Sequence, residues 1–153
     1  MRAAKLATRI LKGKMMASVS VSVDIDAPVE SVWALLGNFD GLPGWLEFVR
    51  SSRLSDDGRL RHLEAIDGAI IVEALLEHSD TERFYRYAIV EGPDPVTGYE
   101  AEVSARRIDA NRTTVTWASR FEPIDAHNAD SLVGHYSVLY RAGLNRLKAL
   151  SEK

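Results

Sequence analysis

Between Ala17 and Ile25 apolar and polar residues alternate strictly, with Val19, Val21, Val23 and Ile25 on one side and Ser18, Ser20, Ser22 and Asp24 on the other. A period of two predicts a half-buried strand. Asp26-Ala27-Pro28 then reads as a helix start, with an acidic N-cap and a proline in the opening turn. Val29, Val32, Trp33 and Leu36 supply the buried face of that short helix. Gly37-Asn38 ends it, and Phe39 to Pro43 forms a second short turn or helix.

Six further strands follow: Phe48–Leu54, Leu60–Ile66, Ile70–His78, Phe84–Glu91, Val96–Ile108 and Thr113–Glu122. Turn signals at Asp56-Asp57-Gly58, Asp67-Gly68, Ser79-Asp80 and Asp109-Ala110-Asn111 keep the connections short, so chain neighbours are antiparallel. The chain closes with a long amphipathic helix over Asn128–Lys153, its stripe running Leu132, Tyr136, Leu139, Leu147, Leu150. Gly143 falls on that stripe. Glycine inside a helix costs about 1 kcal/mol against alanine, so its place on the buried face points to close backbone approach or to space held open. The expectation is space, a chamber between a curved sheet and the helix. Strands segregated from helices in this way make the fold α+β, as one domain from residue 17 to 153.

Alternation assigns faces. The inner row of Val96–Ile108 is Tyr99, Ala101, Val103 and Ala105; that of Thr113–Glu122 is Val115, Trp117, Ser119 and Phe121. Tyr85, Tyr87 and Ile89 face inward from Phe84–Glu91. Ile70–His78 is apolar on both rows and alternation leaves its facing open. Inward phenols and hydroxyls, with Glu73 a further candidate, suit either a core in which each finds a backbone partner or a cavity with a few placed polar groups.

Composition narrows the function. No cysteine is present, which removes disulfides, thiolate chemistry and cysteine zinc sites and fits a reducing cytoplasm. No apolar run approaches the length of a membrane span, so integral membrane association is not expected. Residues 1–16 hold five basic residues (Arg2, Lys5, Arg9, Lys12, Lys14) and no acid, so the rest of the chain is more acidic than the net charge of −3 conveys. An acidic body argues against a nucleic-acid partner. Residues 1–16 are read as a basic, disordered extension; a short amphipathic helix and a start site nearer Met15 and Met16 are the alternatives. No G-x-S-x-G elbow, Walker loop, dinucleotide fingerprint or H-E-x-x-H spacing occurs, and neither cofactor nor metal is implied.

The order strand, two short helices, six strands, long C-terminal helix resembles the helix-grip fold of the START and birch-pollen-allergen superfamily (SRPBCC). Asp26–Trp33, Phe39–Trp45, Gly58–Arg61, Asp67-Gly68, Tyr85–Pro93 and Gly98–Ala101 resemble its polyketide cyclase/dehydrase and lipid-transport branch. The plant abscisic acid receptors are similar segment by segment. That resemblance implies a cavity lined by Arg50, Arg61, Glu73, Tyr87, Ile89, Tyr99, Ser119, His135, Leu139 and Gly143, with Ile71, Glu73 and Leu75 turned inward. The receptor's gating loop is cut to Asp67-Gly68 and its partner-facing latch is replaced by Pro93-Asp94-Pro95, which argues against a hormone-receptor role.

Adding Tyr85 and Trp117 from the inner rows, the expected function is binding of a lipid, polyketide or isoprenoid-like molecule. Arg50, Arg61, Glu73 and the tyrosines would orient it. The alternative is a polyketide cyclase/dehydratase-type enzyme, a lyase or isomerase, with Glu73 and His135 as acid and base and Tyr87 or Tyr99 polarising a carbonyl. Against catalysis, Glu73 could simply pair with Arg61 or Arg50. A protein-partner module would instead show a filled core and an exposed apolar patch.

Overall fold

A computed structural model describes the backbone of residues 5–11 and 14–153, and the side chains from Met16 onwards. One antiparallel sheet runs in the order β1 (Lys5–Leu11), β2 (Lys14–Ile25), β8 (Arg112–Pro123), β7 (Val96–Asp109), β6 (Phe84–Glu91), β5 (Ile70–Ser79), β4 (Leu60–Ala65), β3 (Val49–Ser55). Between β2 and β3 lie α1 (Val29–Leu36) and a single 3-10 turn at Leu42–Gly44; α2 (Ala129–Ser151) ends the chain. The seven strands read from Ala17 onwards are all present. This is the helix-grip α+β architecture.

The sheet has an eighth strand, which corrects the reading of residues 1–16 as wholly disordered. Lys5–Leu11 pairs antiparallel with β2, from Lys5 opposite Ser20 to Leu11 opposite Lys14. β2 would otherwise present an open row of backbone donors and acceptors at the sheet edge, and a strand laid against it satisfies them. Residues 1–4 and 12–13 lie outside the described residues. β2 pairs on its other side with β8, Val21 opposite Trp117, so the first expected strand meets the last.

α1 buries Val29, Val32, Trp33 and Leu36, as its spacing requires. Its start differs from expectation. Pro28 occupies the cap position with no side-chain hydrogen bond, and Asp26 is instead held by its backbone N–H donating to Glu152 Oε2 at 2.7 Å. α2 buries Leu132, Val133, Tyr136, Tyr140, Leu144 and Leu147, while Leu139 and Leu150 are only half-buried. The buried stripe is therefore wider than the one drawn through Leu139, and Tyr140 is at its centre.

The inner rows of β7 and β8 are buried as alternation dictates. In β5, consecutive Val72 and Glu73 are both buried, beside a break in register against β6. That break is why a period of two could not orient this strand.

Candidate ligand-binding cavity

Sheet and helix do not close on each other along their whole length. Between β4–β8 and the first half of α2 lies a cavity of about 540 Å³. Its floor is Glu73 of β5, Tyr87 and Ile89 of β6, Tyr99 of β7 and Trp117 of β8; His135, Tyr136, Leu139 and Tyr140 of α2 cover it. Leu42, Leu46, Phe48, Val49, Leu63 and Ile71 complete an apolar side wall. Asp67 and Ala69 of the β4–β5 turn and Gly92-Pro93-Asp94 of the β6–β7 loop border it as well.

Arg61 and Glu73 are directly opposite each other on β4 and β5. Arg61 Nε donates to Glu73 Oε1 at 2.8 Å, and Arg61 NH1 donates to the Phe39 carbonyl at 2.9 Å and the Tyr85 hydroxyl at 3.2 Å. The guanidinium also lies over the Phe39 ring, 4.2 Å from its centroid, and the Tyr87 ring, at 4.8 Å. Burial works against its charge, yet the facing Tyr85 and Glu73 hold Arg61 above its ordinary value. Burial pushes the Glu73 carboxyl above its ordinary value, and Arg61 pulls it back. Two buried charges coexist here because each has the other, and Arg61 has the Phe39 carbonyl and the Tyr85 hydroxyl besides.

A second polar array crosses the floor. Trp117 Nε1 donates to the Tyr87 hydroxyl at 3.0 Å, the Tyr87 and Tyr99 hydroxyls are 3.4 Å apart, Tyr99 bonds Tyr140, and Tyr140 donates to Ser119 Oγ at 2.8 Å. A phenol has one proton to give. With Tyr140 donating to Ser119, Tyr99 must donate to Tyr140 and Tyr87 to Tyr99, so donation runs one way from Trp117 to Ser119. Burial raises the Tyr87, Tyr99 and Tyr140 phenols well above their ordinary range, which keeps all three protonated. Tyr140 also stacks on Trp117, ring centroids 4.1 Å apart.

At the border, Tyr136 donates to Asp94 Oδ2 at 2.7 Å, and His135 Nε2 is 3.7 Å from the same oxygen. Burial, then Asp94, raises the Tyr136 phenol. These bonds tie α2 to the β6–β7 loop.

Of the residues expected to line the chamber, Glu73, Tyr87, Ile89, Tyr99, Trp117, His135 and Leu139 do so. Arg61, Tyr85 and Ser119 are buried behind its wall and act through Glu73 and Tyr140. Two are elsewhere. Arg50 is the extra residue of a bulge between Val49 and Ser51, which turns it outward to the Ile66 carbonyl and Glu64. Gly143 holds no space open. A Cβ there would stand 2.8 Å from Leu46 Cδ1, 3.1 Å from Trp45 Cζ3 and 3.3 Å from Trp117 Cζ3, so this glycine permits close packing. His135 sits with Asp94, its side chain 49% exposed, while Glu73 is bonded to Arg61, so each half of the expected acid–base pair has a different partner. Neither Tyr87 nor Tyr99 has a spare proton for a carbonyl in this arrangement. Tyr136, Tyr140 and Asp94 were missed. The helical period already placed Tyr136 on the stripe, and Tyr140 one turn on could have been found the same way.

A family model described as polyketide cyclase / dehydrase and lipid transport matches residues 16–152. Among solved structures, the Bacillus cereus protein XoxI is 33% identical, with a TM-score of 0.84 over 88% of this chain and 94% of its own. An uncharacterised protein from Bacillus thuringiensis is 34% identical, with a TM-score of 0.83 over 90% of this chain and 100% of its own. The Zhui aromatase/cyclase from a Streptomyces species shares the fold at 19% identity, with a TM-score of 0.75 over 90% of this chain and 94% of its own. A comparison with curated proteins returns no match. With its strand order, its C-terminal helix and nearly its whole length matched, the chain belongs to the polyketide cyclase/dehydrase and lipid-transport family.

Proposed function

We propose that this protein binds a hydrophobic or amphipathic small molecule of lipid, polyketide or isoprenoid type between its sheet and α2. The observation that carries the reading is the cavity itself: about 540 Å³, with apolar and aromatic walls and one buried carboxylate, Glu73, among those that line it. Ligand pockets fall at roughly 300–1,000 Å³ and combine apolar walls with a few placed polar groups. Among the described residues no helix is long and apolar enough to cross a membrane.

The cyclase or dehydratase alternative rests on Glu73, the one carboxyl in the cavity whose affinity for protons burial raises. His135, engaged with Asp94, is the weaker half of that proposal.

Native mass spectrometry of protein purified from its own host, followed by denaturation, tests the binding reading. Release of a stoichiometric lipid, polyketide or isoprenoid is expected. A protein that carries nothing and takes up nothing from an extract of its host contradicts it.

A further inference from the structure

Charge around the cavity is one-sided. Four carboxylates line it, Asp67, Glu73, Glu91 and Asp94, together with His135, but among the described residues no lysine or arginine does. Arg61 is behind the wall, bonded to Glu73, the Phe39 carbonyl and Tyr85. Arg50 is outside, on the Ile66 carbonyl and beside Glu64.

Only one of these carboxylates is buried. Glu73 is 7% exposed; its Oε1 accepts from Arg61, and its other oxygen has no hydrogen-bond partner among the described residues. That second oxygen is not among the polar atoms sealed away without a partner, so it reaches the cavity space, where a donor carried by a ligand can meet it. The phenols pass their protons along to Ser119, and the Trp117 N–H is taken by Tyr87. The unmet demand in the cavity is for a donor.

That demand separates head groups. A ligand carboxylate would place a second anion beside Glu73 with no cation facing it, in surroundings too apolar to screen the repulsion. An ammonium would find the Glu73 charge already neutralised by Arg61 directly behind it. A hydroxyl supplies the missing proton without adding charge.

Resting on the cavity-binding reading, we propose that the site selects an uncharged apolar ligand bearing an alcohol or phenol, whose O–H donates to the free oxygen of Glu73, and that it rejects carboxylates.

Calorimetric titration of the full chain with 2-naphthol and with 2-naphthoate near neutral pH tests this. The naphthol should bind at least about tenfold more tightly, since a site built around one hydrogen bond discriminates strongly against a ligand that cannot make it. Glu73→Gln should let naphthoate gain and narrow the gap several-fold. Because that change strips Arg61 of its counter-ion, the paired variant Arg61→Met/Glu73→Gln is read alongside it. Naphthoate binding as tightly as naphthol to the native chain overturns the inference and leaves cavity binding standing. An unchanged gap in a folded variant overturns the role of Glu73. If neither probe binds the native chain, the cavity reading falls and this inference with it. The native comparison decides even if both variants fail to fold.

Discussion

Along α2, the turn carrying Gly143 is pressed onto Trp45, Leu46 and Trp117, whereas the preceding turns, carrying His135, Tyr136 and Leu139, stand over empty space. The same helix thus seals one end of its interface with the sheet and spans a chamber at the other. In the sealed half, Leu144 and Leu147 are fully buried in the hydrophobic core. In the open half, polar groups satisfy one another along the floor, Arg61 with Glu73 and Tyr99 with Tyr140 and Ser119, while Leu139 remains half-buried. Stability and capacity for a ligand therefore reside in different turns of one element. A glycine at the boundary lets the seal be tight.

The largest effect is expected from the charge pair supporting the open half. Arg61→Met leaves Glu73 buried without its cation and should cost about 3–5 kcal/mol in urea unfolding. Arg61→Met/Glu73→Gln should recover most of that loss. A double variant as unstable as the single one would show that Arg61 matters through packing on Phe39 and Tyr87 instead.

The two halves should differ when their side chains are resized. Gly143→Val forces atoms into a packed boundary and should cost about 1–3 kcal/mol. Leu139→Ala, facing space that is already open, opens little new void and should cost only about 1 kcal/mol while enlarging the cavity. Equal losses at the two sites would erase the distinction between sealed and open halves.

The smallest effect concerns pH. Tyr87, Tyr99, Tyr136 and Tyr140 have phenols raised above their ordinary value, first of all by burial. Raised folded-state values mean that their contribution to stability is fully present below about 10, where unfolded phenols are still protonated, and is lost as pH rises towards the folded-state values. A spectrophotometric titration should therefore show these four ionising only as the chain unfolds in alkali. Ionisation near 10 in the intact fold would place them in contact with solvent.

Much of this organisation was legible from alternation and helical period. Tyr99, Ala101, Val103 and Ala105 fall on one row of β7, and all are buried. What escaped has specific causes. Bulges defeat a period of two: a break beside Val72 and Glu73 hides the facing of β5, and a separate bulge in β3 turns Arg50 away from the chamber. Cross-strand partners such as Arg61 and Glu73 depend on register, which hairpin turns only approximately fix. Gly143 carries the same letter whether it yields space to a ligand or to Trp45; only the neighbours decide. Lys5–Leu11 has too little alternation of its own to declare a strand, and acquires one from the free edge of β2.

The account rests on the open half taking up a ligand while the sealed half does not respond, and methyl NMR reads both at once. On titration with 2-naphthol, the methyl signals of Ile71, Ile89 and Leu139, which line the cavity, should shift. Those of Val21, Leu144 and Leu147, in the sealed core, should stay in place. Shifts spread evenly over both sets, or confined to the sealed core, would contradict it.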